Sequence, residues 1–239
     1  MLISTKAIVL SKIKYRDSDL IIRCYTEKRG VVSVLLRNVL QSKRGHAKAA
    51  YFQLLSQLEV VMIYKENRAL QTIKEMKTGY LYETIHTNIF KSAIAMFIAE
   101  VLSGVLQEEE ENKILFSYLE TTLQWLDSHS EYTNFHVLFL LKLTKYLGFY
   151  PDISTMGHPF FNLQEGKFVA REVHNHTISG ENIVLLKQLL GTTFDDLNTV
   201  KIKSKQRQSF LDLMLRYFGM HLGHFKYPRS LPIFNQVFN

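Results

Sequence analysis

Hydrophobic and polar positions along the chain change their period once, near Gly79. Before that point, residues 3–14 (ISTKAIVLSKIK), 20–26 (LIIRCYT), 31–37 (VVSVLLR), 53–65 (QLLSQLEVVMIYK) and 69–76 (ALQTIKEM) are rich in Ile, Val, Leu and Tyr. Leu58, Val60, Met62 and Tyr64 recur at every second position and share one side of a strand. This period of two, with turn-forming residues between the runs, predicts five strands. The breaks are YRDSD, EKRG and KENR. EKRG supplies a glycine for a tight hairpin, and the other two read as polar loops. The gap at 38–52 is longer, and its AKAAYF tail favours a short helix. Five antiparallel strands with a helical insertion after the third follow the order of an OB-fold, a small partly open barrel that often binds oligonucleotides.

Beyond Gly79 the spacing becomes helical. Ile94, Phe97, Ile98, Val101, Leu102 and Val105 lie on one face of a helix that ends in QEEEEN. A second helix, about 112–128, places Ile114, Leu115, Tyr118, Leu119, Thr122 and Trp125 together. The third, about 132–147, is apolar nearly all round and reads as the buried member of a bundle, stopping at LGFYPD. Residues 151–178 are irregular, with a small hairpin in FFNLQEGKFVARE. Helical spacing returns in NIVLLKQLL, RQSFLDLMLRYFGMHLG and SLPIFNQVF. The pattern therefore predicts an α+β multidomain chain: a five-stranded OB-fold β-barrel over 1–78, then an all-helical domain over 79–239 with an irregular hairpin region at about 151–178. No internal repeat or low-complexity linker separates them, so the two are expected to pack together.

Composition narrows the picture. The 239 residues are 46% hydrophobic and 21% charged, as in a globular protein with a real core. No apolar run reaches the ~18 residues of a membrane helix. MLISTKAIVL makes a poor signal peptide, and a cytoplasmic, nucleoid-associated protein is expected. The single cysteine, Cys24, rules out an intrachain disulfide and a multi-cysteine metal site, and LIIRCYTE reads as the setting of a half-buried, unreactive strand residue.

Charge is distributed unevenly. The net charge is +7, but residues 1–78 hold fifteen Lys and Arg against six Asp and Glu, and the other 161 residues hold fourteen against sixteen. A surplus confined to one segment points to a surface that meets something anionic. Between Leu35 and Gln53 alone stand Arg37, Lys43, Arg44, His46 and Lys48 with no acid. Lys12, Lys14, Tyr15, Arg16 and Arg23 belong to the first two strands and their connection. Lys28 and Arg29 follow in the next turn, and Tyr64, Lys65 and Arg68 stand at the last one. Cations for phosphates with flat rings for bases are the pairing that holds single-stranded nucleic acid. Some of these residues also suit edge strands that must resist aggregation.

Catalytic patterns are missing. GxxxxGK[ST] and GxGxxG do not occur, and the acids of RDSD cap or bend a turn. The run Glu108–Glu111 reads as a solvated turn, because a Mg²⁺ site needs carboxylates converging from separate elements. His174 and His176, with His158 upstream, could share a zinc ion, but no cysteine or HExxH accompanies them, and hairpin-packing histidines are the simpler reading. His221 and His224 sit where a helix C-terminus favours them. No enzyme and no cofactor are expected.

The wording of the segments carries one more reading. "KAIVLSKIKYRDSDLIIRCYTEKRGVVSVLLRNV", "FQLLSQLEVVMIYKENRALQTIKEM", "KYLGFYPDI" and "RYFGMHLGHFKYPRSLPIF", in this order and spanning essentially the whole chain, resemble the bacterial recombination mediator family RecO. The resemblance implies a barrel followed by a helical domain and no catalysis. It also implies binding of single- and double-stranded DNA, strand annealing, pairing with RecR, capture of the acidic tail of the single-strand-binding protein, and indirect help in loading RecA. Residues expected at the DNA are Lys12, Lys14, Tyr15, Arg16, Arg23, Lys28, Arg29, Arg37, Lys43, Arg44, Lys48, Lys65 and Arg68. Lys142, Lys145 and Arg216 are expected near the partner tail. Many members carry a four-cysteine zinc site after the LGF-P junction, but this stretch has no cysteine. Packing of Phe160, Phe161, Leu163 and Phe168 is expected to replace the metal. An RNA-binding OB protein, or an interaction scaffold with an incidental basic barrel, are the alternatives.

Overall fold

The computed structural model describes residues 1–41, 43–106, 111–173 and 176–238, and of Arg44 the backbone only. These fall into two compact units, Met1–Ser128 with Pro228–Ser230, and His129–Tyr227 with Leu231–Asn239. No helix among the described residues is long and apolar enough to cross a membrane.

In the first unit, strands β1 (Leu2–Tyr15), β2 (Asp19–Thr26), β3 (Gly30–Leu36), β4 (Gln57–Ile63) and β5 (Thr72–Tyr80) pair antiparallel in the order β3-β2-β1-β4-β5. The barrel closes where β3 meets the start of β5. Val34 and Gln71 form a parallel bridge, with Leu35 N–H donating to the Gln71 carbonyl (3.1 Å) and Gln71 N–H to that of Ser33 (2.8 Å). This is the OB-type five-stranded barrel. Alternation fills it: Ala7, Val9, Ile22, Cys24, Val32, Val34, Leu58, Val60 and Met62 point inward. Helix α1 (Lys43–Ala50) follows β3, and Ala49 and Phe52 plug the same core.

Near the middle of β1 the alternation lapses, and Ile8, Val9 and Leu10 are all buried. Helix α2 (Ile89–Val105) covers the outer face there, and Ser103 Oγ reaches the Leu10 carbonyl (3.5 Å). Asn88 caps α2 by accepting from the N–H groups of Phe90 and Lys91. Helix α3 (Lys113–Ser128) adds Phe116, stacked on Tyr25 at 5.9 Å.

Three sequence expectations shift. The fourth strand begins at Gln57 instead of residue 53, because Leu55 adopts φ 63° and its N–H turns back to the Val9 carbonyl (2.7 Å). The fifth begins at Thr72, since residue 71 is used in closing the barrel. Cys24, expected half-buried, is 3% exposed, and burial pushes its thiol up to about 12.

In the second unit, helices α4 (Phe135–Tyr146), α5 (Gly180–Leu190) and α6 (Ser204–His221) pack on one another, and α7 (Leu231–Val237) follows. Helix α4 is buried on nearly every side. Strands β6 (Phe160–Asn162) and β7 (Lys167–Val169) form the hairpin, and β8 (Thr177–Ile178), not foreseen, pairs with β6. Phe161, Leu163 and Phe168 are buried beneath it, and Phe160 is only partly covered. Tyr217 donates from its hydroxyl to the Phe149 carbonyl (2.7 Å), and the His221 ring stacks on Phe149 while Nε2 meets the Leu163 carbonyl (2.8 Å). An aromatic knot thus secures the hairpin to α6.

Candidate nucleic-acid interface

The β3–β5 seam lies at the bottom of a furrow, and local turns decide which side chains flank it. The loop between β1 and β2 places Arg16 at φ 55°, a conformation disfavoured for a side chain of its size, and sets its guanidinium 5.2 Å from the Tyr15 ring centre. Just beyond β3, Asn38 also turns left-handed (φ 56°), and its N–H donates to the Asp19 carboxylate at 2.8 Å. That bond fixes the chain as it leaves the barrel and leaves Arg37 exposed.

Three hollows follow one another along the seam. The first, about 370 Å³, is lined by Tyr15, Arg16, Arg37 and Leu70. The second, about 720 Å³, is lined by Arg37, Lys48, Arg68, Leu70 and Gln71. The third, about 250 Å³, is lined by Arg68, Gln71, Ser33 and Tyr64. Arg37 lines the first two and Arg68 the last two, so the hollows adjoin one another in a furrow along the seam. Arg29 lies 5.1 Å over the Tyr64 ring at its far end. A seven-residue strand such as β3 spans roughly 23 Å, enough for a short oligonucleotide at the lower end of the 4 to 16 nucleotides typical of one OB-fold.

Electrostatics along the furrow are one-sided. Arg16, Arg37, Lys48 and Arg68 make no salt bridge among the described residues. The acids lining it are Asp19, whose carboxylate accepts from Asn38, and Glu66. Leu35 and Leu70 give it an apolar floor. Such a trough attracts phosphates without reading base sequence; Tyr15 is exposed at one end and offers a stacking face, whereas Tyr64 at the other packs against the barrel core beneath Arg29.

Other expected contacts lie elsewhere. Arg23 donates to the carbonyls of Ser103 (2.8 Å) and Leu106 (3.1 Å), so its guanidinium closes the end of α2 instead of lining the furrow. Lys28 Nζ donates to the Ser4 carbonyl (2.7 Å). Lys12 and Lys14 are exposed on the part of β1 that extends beyond its pairing with β4. Lys43 is exposed at the start of α1, Lys65 is exposed in the loop before β5, and the Arg44 side chain falls outside the described residues. Part of the surplus charge is also neutralised: Lys6 pairs with Glu120 (2.9 Å) and Lys77 with Glu59 (2.8 Å).

Sequence reasoning missed Gln71. It is 4% exposed, accepts from Lys65 N–H (2.8 Å), and donates from Nε2 to the carbonyls of Lys65 (2.9 Å) and Arg68 (2.6 Å). One amide thus shapes the loop that carries Arg68, and nothing in "ALQTIK" signals it. In the second unit, Lys142 is half-buried, with its ammonium pKa lowered by burial and by Lys145, and Nζ reaches the Leu190 carbonyl (3.4 Å). Lys145 and Arg216 are exposed on α4 and α6. His158 is exposed and His176 half-buried, whereas His174 and Glu108–Glu110 lie outside the described residues. Among those described, no three His, Cys, Asp or Glu gather as a metal site would require.

Residues 1–82 match the family model described as "Recombination protein O N terminal", and residues 86–231 match "Recombination protein O C terminal". The chain belongs to the RecO family. Relatives include the "DNA repair protein RecO" of Christiangramia forsetii, 42% identical over 238 residues, and that of Flavobacterium johnsoniae, 43% identical over 240, each match covering both chains in full. The protein of the same name from Bacteroides fragilis is 33% identical over 243 residues, again end to end. The family boundary near residue 82 follows the end of β5, whereas the compact first unit continues through α2 and α3 to Ser128.

Proposed function

We propose that this protein acts in DNA repair and recombination as a non-enzymatic mediator in the cytoplasm. In this reading it binds single- and double-stranded DNA, anneals complementary strands and, with RecR, helps load RecA onto DNA coated by the single-strand-binding protein. The observation that carries the reading is the furrow of adjoining hollows along the β3–β5 seam, where Arg16, Arg37, Lys48 and Arg68 stand unneutralised between Tyr15 and Tyr64. Membership of the RecO family supports the repair role. Cations held along a trough screen the phosphates of two strands from each other and leave bases free to pair, which gives annealing a physical basis. The acidic tail of the single-strand-binding protein is assigned to the helical unit, near Lys142, Lys145 and Arg216.

The test is annealing of complementary oligonucleotides coated with single-strand-binding protein, followed by fluorescence, for the native chain and for R37E/R68E. The native protein accelerates annealing, and the double variant loses about tenfold or more of that acceleration through reversal of two phosphate contacts. No acceleration by the native protein would reject the mediator role. A clear preference for RNA over DNA of matched sequence would favour a reader of the 2′-hydroxyl instead.

A further inference from the structure

The helical unit gathers cations of its own. Residues 200–207 read VKIKSKQR, four cations and no acid. Val200 and Lys203 have extended backbone, and along such a segment alternate side chains point to opposite sides. Val200 turns inward, Ile202 is half-buried, and Lys201 and Lys203 face outward. Lys205 extends the exposed row onto the first turn of α6. Arg207 behaves differently: it is 7% exposed and donates to Asn134 Oδ1 and the Phe238 carbonyl, which anchors the base of the row. A cavity of about 320 Å³ lies alongside, lined by Lys201, Lys203, Thr133, Asn134 and Asn198 with the aliphatic Leu197, Val200 and Ile202, and Glu131 is its one carboxylate.

Lys201, Lys203 and Lys205 make no salt bridge among the described residues. Three neighbouring like charges repel one another, and an anion laid along them relieves that repulsion. Lys201 and Lys203, two positions apart on extended backbone, point the same way, and Lys205 adds a third exposed charge from the first turn of α6, a grouping that suits a polyanion. Thr133, Asn134 and Asn198 offer hydrogen bonds to a sugar–phosphate backbone, and Leu197, Val200 and Ile202 give the cavity an apolar side on which a base can rest. We infer that Lys201, Lys203 and Lys205 form a second polynucleotide-binding row, on the helical unit, that takes a further DNA strand by its phosphates. The inference rests on the barrel furrow holding the first strand. One molecule then carries both partners of an annealing reaction.

The experiment uses the full chain. A biotinylated oligonucleotide is immobilised and saturated with protein, and a labelled strand of non-complementary sequence is added. The native complex captures the second strand, with a log-log salt slope near −2 for about three phosphates. K201E/K203E/K205E lowers that capture about tenfold or more and leaves affinity for the first strand within about twofold. K201Q/K203Q/K205Q gives an intermediate loss, and thermal melts verify that both variants are folded. Separation from the furrow comes from R37E/R68E, which binds either oligonucleotide only weakly, through the lysines, and loses that residual binding when the lysines are also replaced. Capture undiminished in the lysine variants, or no capture by the native complex, overturns the row. Retention of a glutamate-rich peptide in place of the second strand also overturns it and assigns the lysines to a protein partner. Failure of the native protein to hold the first strand counts instead against the furrow.

Discussion

Arg23 and Arg37 carry the same group, one within β2 and one just past β3, and their surroundings give them different tasks. Arg23 serves two carbonyls at the end of α2, and Arg37 faces the furrow. Arg23→Met is therefore expected to destabilise the protein by about 2–4 kcal/mol in urea unfolding, from two charge-assisted bonds left unmade. Its oligonucleotide affinity at low urea should stay within about twofold, since no furrow phosphate is lost. A large affinity loss with unchanged stability would reverse the assignment. Sequence could not separate the two arginines, because the partners of Arg23 lie some eighty positions along the chain and a charge count weighs both equally. His136 supplies a second test. Burial, with the nearby Arg207 charge, pushes its pKa down to about 3. The unfolded chain takes up a proton near pH 6.5 that the folded chain refuses, so stability is present above that pH and falls as pH drops towards 3. The slope is at most about 1.4 kcal/mol per pH unit from this group. Equilibrium unfolding at pH 7, 5.5 and 4.5 measures it, and His136→Phe should flatten that limb.

Elements position the furrow through close approaches that a hydropathy pattern does not record. Helix α1 lies so near the chain after β3 that a Cβ on Gly45 would meet the Val39 carbonyl oxygen at 2.5 Å. Gly45→Ala must shift the helix that carries Lys48, with an expected cost of about 1–3 kcal/mol and a several-fold weaker hold on single strands, checked by melting and by fluorescence anisotropy. The passage from β5 to α2 is fixed by another device. Burial alone would raise the pKa of Asp127, but N–H groups of Glu83, Thr84 and Ile85 donating to its carboxylate more than offset this and hold it below the usual value. Lys91 Nζ closes the knot by donating to the Asp127 carbonyl and to Thr84. This contribution to stability is present above about pH 4 and is lost as pH falls further. Asp127→Ala should remove about 3–5 kcal/mol of stability by leaving those donors unmatched. The five barrel strands, the main helices and the β6–β7 hairpin were legible from period and turn residues. The left-handed Leu55, the third strand β8 and the Gln71 clamp were not, since each depends on a partner distant in sequence.

Across the whole molecule, the positive surplus of the first third is less concentrated than its residue count suggests. Lys6 and Lys77 are paired with acids, Lys6 with one from α3, and Arg23 and Lys28 are bonded to backbone carbonyls. Four unneutralised cations in the furrow imply a log-log salt slope near −3 for single strands, at about −0.7 per phosphate. Titrations between 50 and 200 mM salt read it directly, and a slope near zero would contradict the furrow. The family and the barrel were legible because strand order and segment wording extend over the full chain. Which cations converge was not, because β3 and the start of β5 meet only once the barrel has closed. That closure has a mechanical corollary. The seam rests on one parallel bridge and two backbone bonds, so it is where local opening should cost least. A strand lying across Arg37, Lys48 and Arg68 stitches both lips together, and protection of the Leu35 and Gln71 amides against deuterium should rise more than that of the β1–β2 ladder when oligonucleotide is added.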